Sequence, residues 1–127
     1  MQISFPLFVR AKDSGEIVSV NSIYDLQRHV ERIDVENSEY EAWDTVGIPV
    51  AISSQEPVWL EVKVLGSISD IQRLRQALAE FAKAVGLTIE DNLPVSSFGA
   101  MLAQISDAHE KKKLGKSAIR RFFKKLS

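Results

Sequence analysis

Val58-Trp59-Leu60-Glu61-Val62-Lys63-Val64 is the stretch that decides the fold. Successive side chains of a strand point to opposite faces, so Val58, Leu60, Val62 and Val64 share one side of an extended chain. Trp59, Glu61 and Lys63 share the other, and the C-terminal segment is expected to cover part of that side, because large bare apolar patches are rare. Upstream, across a loop at residues 53–57, Ile48, Val50 and Ile52 line one face of a preceding strand. Asp44-Thr45-Val46-Gly47 is the hairpin turn in front of it. Before that turn a strand is expected from Val35 through Glu36, Glu39, Tyr40 and Glu41 to Trp43. Its alternation breaks in the middle, which predicts a bulge near Asn37-Ser38.

The same reading extends to both ends. Ile3, Phe5, Leu7 and Val9 alternate, with Pro6 placing their strand at an edge or a bulge. The turn Lys12-Asp13-Ser14-Gly15 leads into a second strand, Glu16 to Val20. Ile23, Leu26, Val30 and Ile33 recur at helical spacing behind a cap at Asn21 or Ser22, giving a helix to about Arg32. Beyond Gly66, Ser67 or Ser69 caps a long helix whose stripe is Ile71, Leu74, Leu78, Phe81, Ala82 and Val85; Gly86 is its left-handed stop. The expectation is an α+β domain over residues 1–91, ordered β-β-α-β-β-β-α, with an antiparallel sheet of about five strands and two helices on one face. Residues 92–127 form a helical C-terminal extension. Within it Phe98, Met101, Leu102 and Ile105 mark a short helix, and a cationic amphipathic segment follows Gly115.

The chain has 127 residues, 45% of them hydrophobic and 26% charged, enough for one domain with its own core. With no cysteine, disulfides, thiolate metal sites and a cysteine nucleophile are excluded. The first ten residues do not read as a signal peptide, and no apolar run approaches the length of a membrane span, so a cytoplasmic location is expected. The net charge of -1 conceals a division. Residues 1–91 carry 8 Lys+Arg against 15 Asp+Glu, and residues 92–127 carry 8 against 2. Such asymmetry points to surfaces that meet charged partners or each other.

Few residue sets carry chemistry. His29 and His109 lack a second ligand at helical spacing, so no metal site is expected. Leu114-Gly115-Lys116-Ser117 has the last letters of a phosphate-binding loop, without its first glycine or a preceding strand. No cofactor is implied. The candidate partner-binding set is Glu36, Glu39, Glu41, Trp43 and Asp44: with Tyr40 and Ala42 facing inward, a tryptophan among carboxylates would face solvent, as interfaces use. The other readings are solubilising charge on an edge strand and a carboxylate acid–base pair. The candidate tail contacts are Ile119, Arg120, Arg121, Phe122, Phe123 and Lys124. Their aromatic pair calls for burial, first against the same domain or a second copy, then on a protein partner. A membrane surface and nucleic acid come after those.

The run Val35-Glu36-Asn37-Ser38-Glu39-Tyr40-Glu41-Ala42-Trp43-Asp44-Thr45-Val46-Gly47-Ile48-Pro49-Val50 resembles the acidic hairpin of small bacterial proteins, some of them immunity proteins of toxin systems. The resemblance implies an inhibitor that meets one basic toxin through an acidic face. It carries no site residue over, and the cationic tail lies outside the pattern. The leading expectation is therefore a non-enzymatic protein-binding module. A structural or self-assembling protein that uses its tail, homodimer included, and a small carboxylate-dependent enzyme are the alternatives.

Overall fold

The computed structural model describes residues 3–55, 58–66 and 68–126; for Arg32, Ile33, Gln55, Val58, Trp59 and residues 115–126 it describes the backbone alone. The strands are β1 (Leu7–Ala11), β2 (Ile17–Val20), β3 (Tyr40–Trp43), β4 (Pro49–Gln55) and β5 (Val58–Val64). The helices are α1 (Ile23–His29), α2 (Arg32–Glu36), α3 (Ile71–Ala84) and α4 (Phe98–Leu126), the last entered through a 3-10 turn at Val95–Ser97. All strands join one antiparallel sheet in the order β2-β1-β3-β4-β5. The α+β class, the five strands and the order of strands and helices are those expected from the sequence.

The local chemistry of the ends is legible. Ser22 caps α1 by accepting from the Asp25 N–H at 3.1 Å. α3 is capped by Asp70, which accepts from the Arg73 N–H, and not by Ser69; Ser67 lies outside the described residues. Gly86, at φ +83, closes α3, with the Leu87 N–H reaching back to the Ala82 carbonyl at 2.8 Å.

The segment 32–39 departs from expectation. Val35 and Glu36 belong to α2, not to a strand, and Val35 is buried at 4% exposure. The Val35 N–H bonds the Glu31 carbonyl, and Ser38 turns the chain at φ +57 while Glu39 donates back to Asp34. The irregularity at Asn37-Ser38 is thus a helix-to-strand turn. The bulge in the sheet lies elsewhere, between Ser53 and Gln55.

The layering also differs. Leu7, Val9, Val20, Ala42, Val50 and Leu60 pack on one face with Leu26 of α1, Val30 at its C-cap and Val35 of α2. Phe8, Ile17 and Trp43 pack on the other with Leu74, Leu78 and Phe81 of α3 and Phe98, Leu102 and Ile105 of α4. The helices expected together on one face are therefore divided between two. The cause is in β1 and β3, where Leu7 and Val9 flank Phe8, and Ala42 precedes Trp43, so each strand has apolar groups on both sides. Phe8 and Trp43 are direct cross-strand partners. Each such side chain contributes about 1.5–3 kcal/mol when buried.

α4 is a single helix from Phe98 to Leu126, where a short helix and a separate last segment were expected. Phe98, Leu102 and Ile105 are almost fully enclosed, so residues 98–105 complete the interior that residues 1–91 begin. Arg75 of α3 lies over the Phe98 ring at 5.2 Å and donates to the Leu93 carbonyl, fastening the connection between the two helices. Among the described residues no helix is long and apolar enough to cross a membrane.

Candidate functional site

The site begins with a disagreement between neighbouring strands. β3 pairs with β1 at four positions, from Phe8↔Trp43 to Ala11↔Tyr40, and with β4 at two, Ala42↔Val50 and Trp43↔Pro49. Beyond those two the strands separate. β3 is held to β1 by the Lys12 N–H on the Glu39 carbonyl at 2.9 Å and is drawn back to α2 by Glu39 on Asp34. β4 follows β5 instead, paired from Val50↔Val64 to Gln55↔Val58.

The hinge of this divergence is rigid. Asp44, 7% exposed, accepts from the N–H groups of Val46 and Ile48, both at 2.9 Å. Gly47 takes φ +84, and a Cβ there would lie 2.8 Å from Ile71 Cδ1. Ser69 Oγ donates to the Val46 carbonyl and the Asp70 N–H to the Gly47 carbonyl, tying the turn to the start of α3.

Between the separating strands and α3 lies a cleft of about 590 Å³. Tyr40, Glu41 and Ala42 form one wall, Val50, Ala51 and Ile52 the other, with Arg10, Lys12, Asp70 and Arg73 around them. Peptide groups alternate sides along a strand. The Asp44 N–H bonds the Ile48 carbonyl across the hairpin, so the peptide groups of Tyr40 and Ile52 also point into the gap, where no strand pairing reaches them.

Charge in the cleft is organised around Glu41. It stands opposite Arg10 on β1 and receives Arg73 of α3 in a two-point contact, Nε at 3.0 Å and Nη2 at 2.9 Å. Arg10 Nη1 is 3.4 Å from the same carboxylate, and Arg10 Nε is buried with no hydrogen-bond partner. The hydrogen bonds to Glu41 raise the pKa of Arg73 above its ordinary value, so the guanidinium stays charged throughout the working range. Lys12 stands exposed at the mouth. Three cations thus surround Glu41, with Asp70 at the helix end and Glu80 of α3 3.9 Å from Arg10 Nη2.

The residues singled out from the sequence fall in different places. Trp43, expected on the surface, is 1% exposed and forms part of the core. Asp44 holds the turn, and Glu41 holds two arginines. Glu36 ends α2 and is exposed, whereas Glu39 is half-buried. Only Glu41 and Trp43 of the acidic set line the cleft. Ile119, Arg120, Arg121, Phe122, Phe123 and Lys124 lie on the α4 backbone, with side chains outside the described residues; the same holds for Trp59. Arg10, Lys12 and Arg73 were not singled out from the sequence. Their signal is spatial: Arg73 and Glu41 are 32 residues apart.

One further cluster joins distant residues. Glu16, His109 and Glu110 bring donor atoms within 4.8 Å of one another, a set able to hold a metal ion. His109 also meets Phe81 edge-on at 5.4 Å and faces Glu16 at 3.6 Å. Lys112 and Lys113 share its shallow pocket and oppose a cation there. His29 pairs with Asp25 one helical turn earlier.

No protein-family model, curated protein or solved structure matches this chain.

Proposed function

We propose that the protein is a non-enzymatic peptide-binding module whose cleft takes an extended segment bearing an acidic side chain. The observation that carries this reading is the early parting of β3 and β4, which leaves strand backbone unpaired beside three cations. An extended peptide supplies the missing backbone partners, as in strand addition, and its carboxylate competes with Glu41 for Arg10 and Arg73. This reverses the polarity expected from the acidic hairpin. An acidic face for a basic toxin would lose Glu41, Trp43 and Asp44, which have interior or paired roles. The carboxylate-enzyme reading loses support for the same reason: Asp44 and Glu41 are both held by other groups.

Two synthetic strand-forming heptapeptides, one with two glutamates and one with two lysines, test the proposal by amide NMR titration. The acidic peptide is expected to shift Tyr40, Ile52 and the Arg73 Nε–H, and the basic one to leave them in place. Binding of the basic peptide near Glu36 and Glu39 would restore the acidic-face reading. No shift with either at millimolar concentration would remove the peptide reading altogether.

A further inference from the structure

Among the described residues β5 ends the sheet, and its outer edge has a defined set of groups that no strand pairs. The Leu65 N–H bonds the Pro49 carbonyl at 2.9 Å, which fixes the alternation. The peptide groups of Glu61 and Lys63 then point to β4, and those of Val62 and Val64 point away from it. At the opposite end of the sheet β2 has α4 packed against it.

The side chains along this edge follow a pattern of their own. Glu61 and Lys63 stand on the sheet face that α3 and α4 pack, at its far margin, 3.5 Å apart, with side-chain exposures of 38% and 67%. Leu60 and Val62 stand on the face packed by α1 and α2. Natural sheets commonly protect an end strand with a charge that has no counterpart across the edge. Here the two charges are of opposite sign and lie two residues apart, so a second copy of the same strand supplies the counterpart of each.

We infer that two copies of this chain join edge to edge through β5, antiparallel, with Val62 opposite Val62 of the second copy. A twofold axis perpendicular to the sheet requires one residue to face itself. Centring on Glu61 sets glutamate against glutamate, and centring on Lys63 sets lysine against lysine. Centring on Val62 sets Glu61 against Lys63 of the second copy and Lys63 against its Glu61, on the same face. The same register pairs the outward peptide groups of Val62 with each other and those of Val64 with Leu60 of the second copy. Backbone and charge therefore select one register. The contact uses the edge of β5 and not the cleft, so it stands independently of the peptide-binding proposal. It also differs from a dimer formed through the tail, because residues 115–126 take no part in it.

The full chain is tested by sedimentation equilibrium. The unaltered protein is expected to dimerise. Lys63→Glu alone and Glu61→Lys alone set like charges opposite one another at both positions and weaken association about tenfold or more. Glu61→Lys combined with Lys63→Glu restores the complementary pairs and recovers the original affinity. These positions are exposed, so the variants should keep their fold; circular dichroism checks it. Because the chain has no cysteine, register is read directly. A mixture of Glu61→Cys and Lys63→Cys proteins should form the mixed disulfide faster than either forms its own, since these residues face each other at a Cα distance of about 4.5 Å. A monomer at about 1 mM, association indifferent to the single reversals, failure of the exchanged pair to recover, or preferential Glu61→Cys self-linkage would each overturn the inference.

Discussion

Replacing Glu41 with glutamine should lower stability and raise affinity for acidic peptides at once. Glu41 accepts two hydrogen bonds from Arg73 and one longer contact from Arg10, and the three side chains are 27%, 31% and 15% exposed. Charge-assisted bonds in a dry interior contribute about 1.5–3 kcal/mol each, and partial exposure screens this set to about 1–2 kcal/mol in total. Glutamine keeps the shape but removes the charge, leaving Arg10 and Arg73 facing each other. In urea, with a slope of about 1.5 kcal/mol/M for a chain of this size, the midpoint should fall by about 1 M. The same change removes the internal competitor for both guanidinium groups, so an acidic peptide should bind about tenfold more tightly, equivalent to about 1.4 kcal/mol. Urea denaturation followed by tryptophan fluorescence gives the first quantity and peptide titration of the folded variant the second. An unchanged urea midpoint, or peptide affinity that drops together with stability, would refute the reasoning. The first outcome would mean that Glu41 does not hold the arginines, and the second that the cleft needs its negative charge.

Three other expectations follow from single positions. Gly47→Ala should cost well over 1 kcal/mol, because the new Cβ meets Ile71 Cδ1 at 2.8 Å and Ser69 Oγ at 2.9 Å in a backbone at φ +84, while Gly15→Ala, at φ +75 in open space, should cost about 1 kcal/mol; thermal denaturation of the pair separates crowding from conformation. Phe98→Ala should lose about 3–5 kcal/mol, since Phe98 is 0% exposed, and a loss near zero in urea denaturation would show that α4 is not part of the core. Burial raises the Tyr40 pKa above 10.0, so its contribution to stability is fully present below that pH and is lost as pH rises toward the folded-state value; Tyr40→Phe should flatten the fall in stability above about pH 10, followed by denaturation at a series of pH values.

Elements with one dominant period were legible in the sequence. β5 alternates cleanly, α3 shows a regular stripe ended by Gly86, and both appear close to where their patterns place them. Elements that serve two masters were not. Phe8 and Trp43 are apolar on the side of their strands that an alternation rule assigns to solvent, so Trp43 looked like a surface anchor. α2 has five residues, too few for helical spacing to declare itself, and its Val35 read as the start of a strand. The cleft was invisible because its making is non-local: Asp44 and Gly47 set the hinge against the start of α3, Lys12 and Glu39 hold one wall, and Arg73 arrives from a helix 32 positions beyond Glu41. Two of the four acidic candidates serve the fold itself: Asp44 locks a turn and Glu41 clamps two guanidinium groups.

The locked turn at Asp44 also makes β3 and β4 behave as a pair of tweezers. The fulcrum is stiff, being fixed to the start of α3 by Ser69 and Asp70, so bending is left to the free arms. One arm, β3, is braced by β1 along its length. The other, β4, is paired with β5 over most of its length and is backed by α2 on one face, so a wedge that spreads the jaws carries β5 with β4 and works against the α2 packing. Ile52 on the inner jaw and Val62 on the outer margin are register partners, so a displacement of one is passed to the other through the ladder between them. The outer margin of the sheet is in this way geared to the gap inside it.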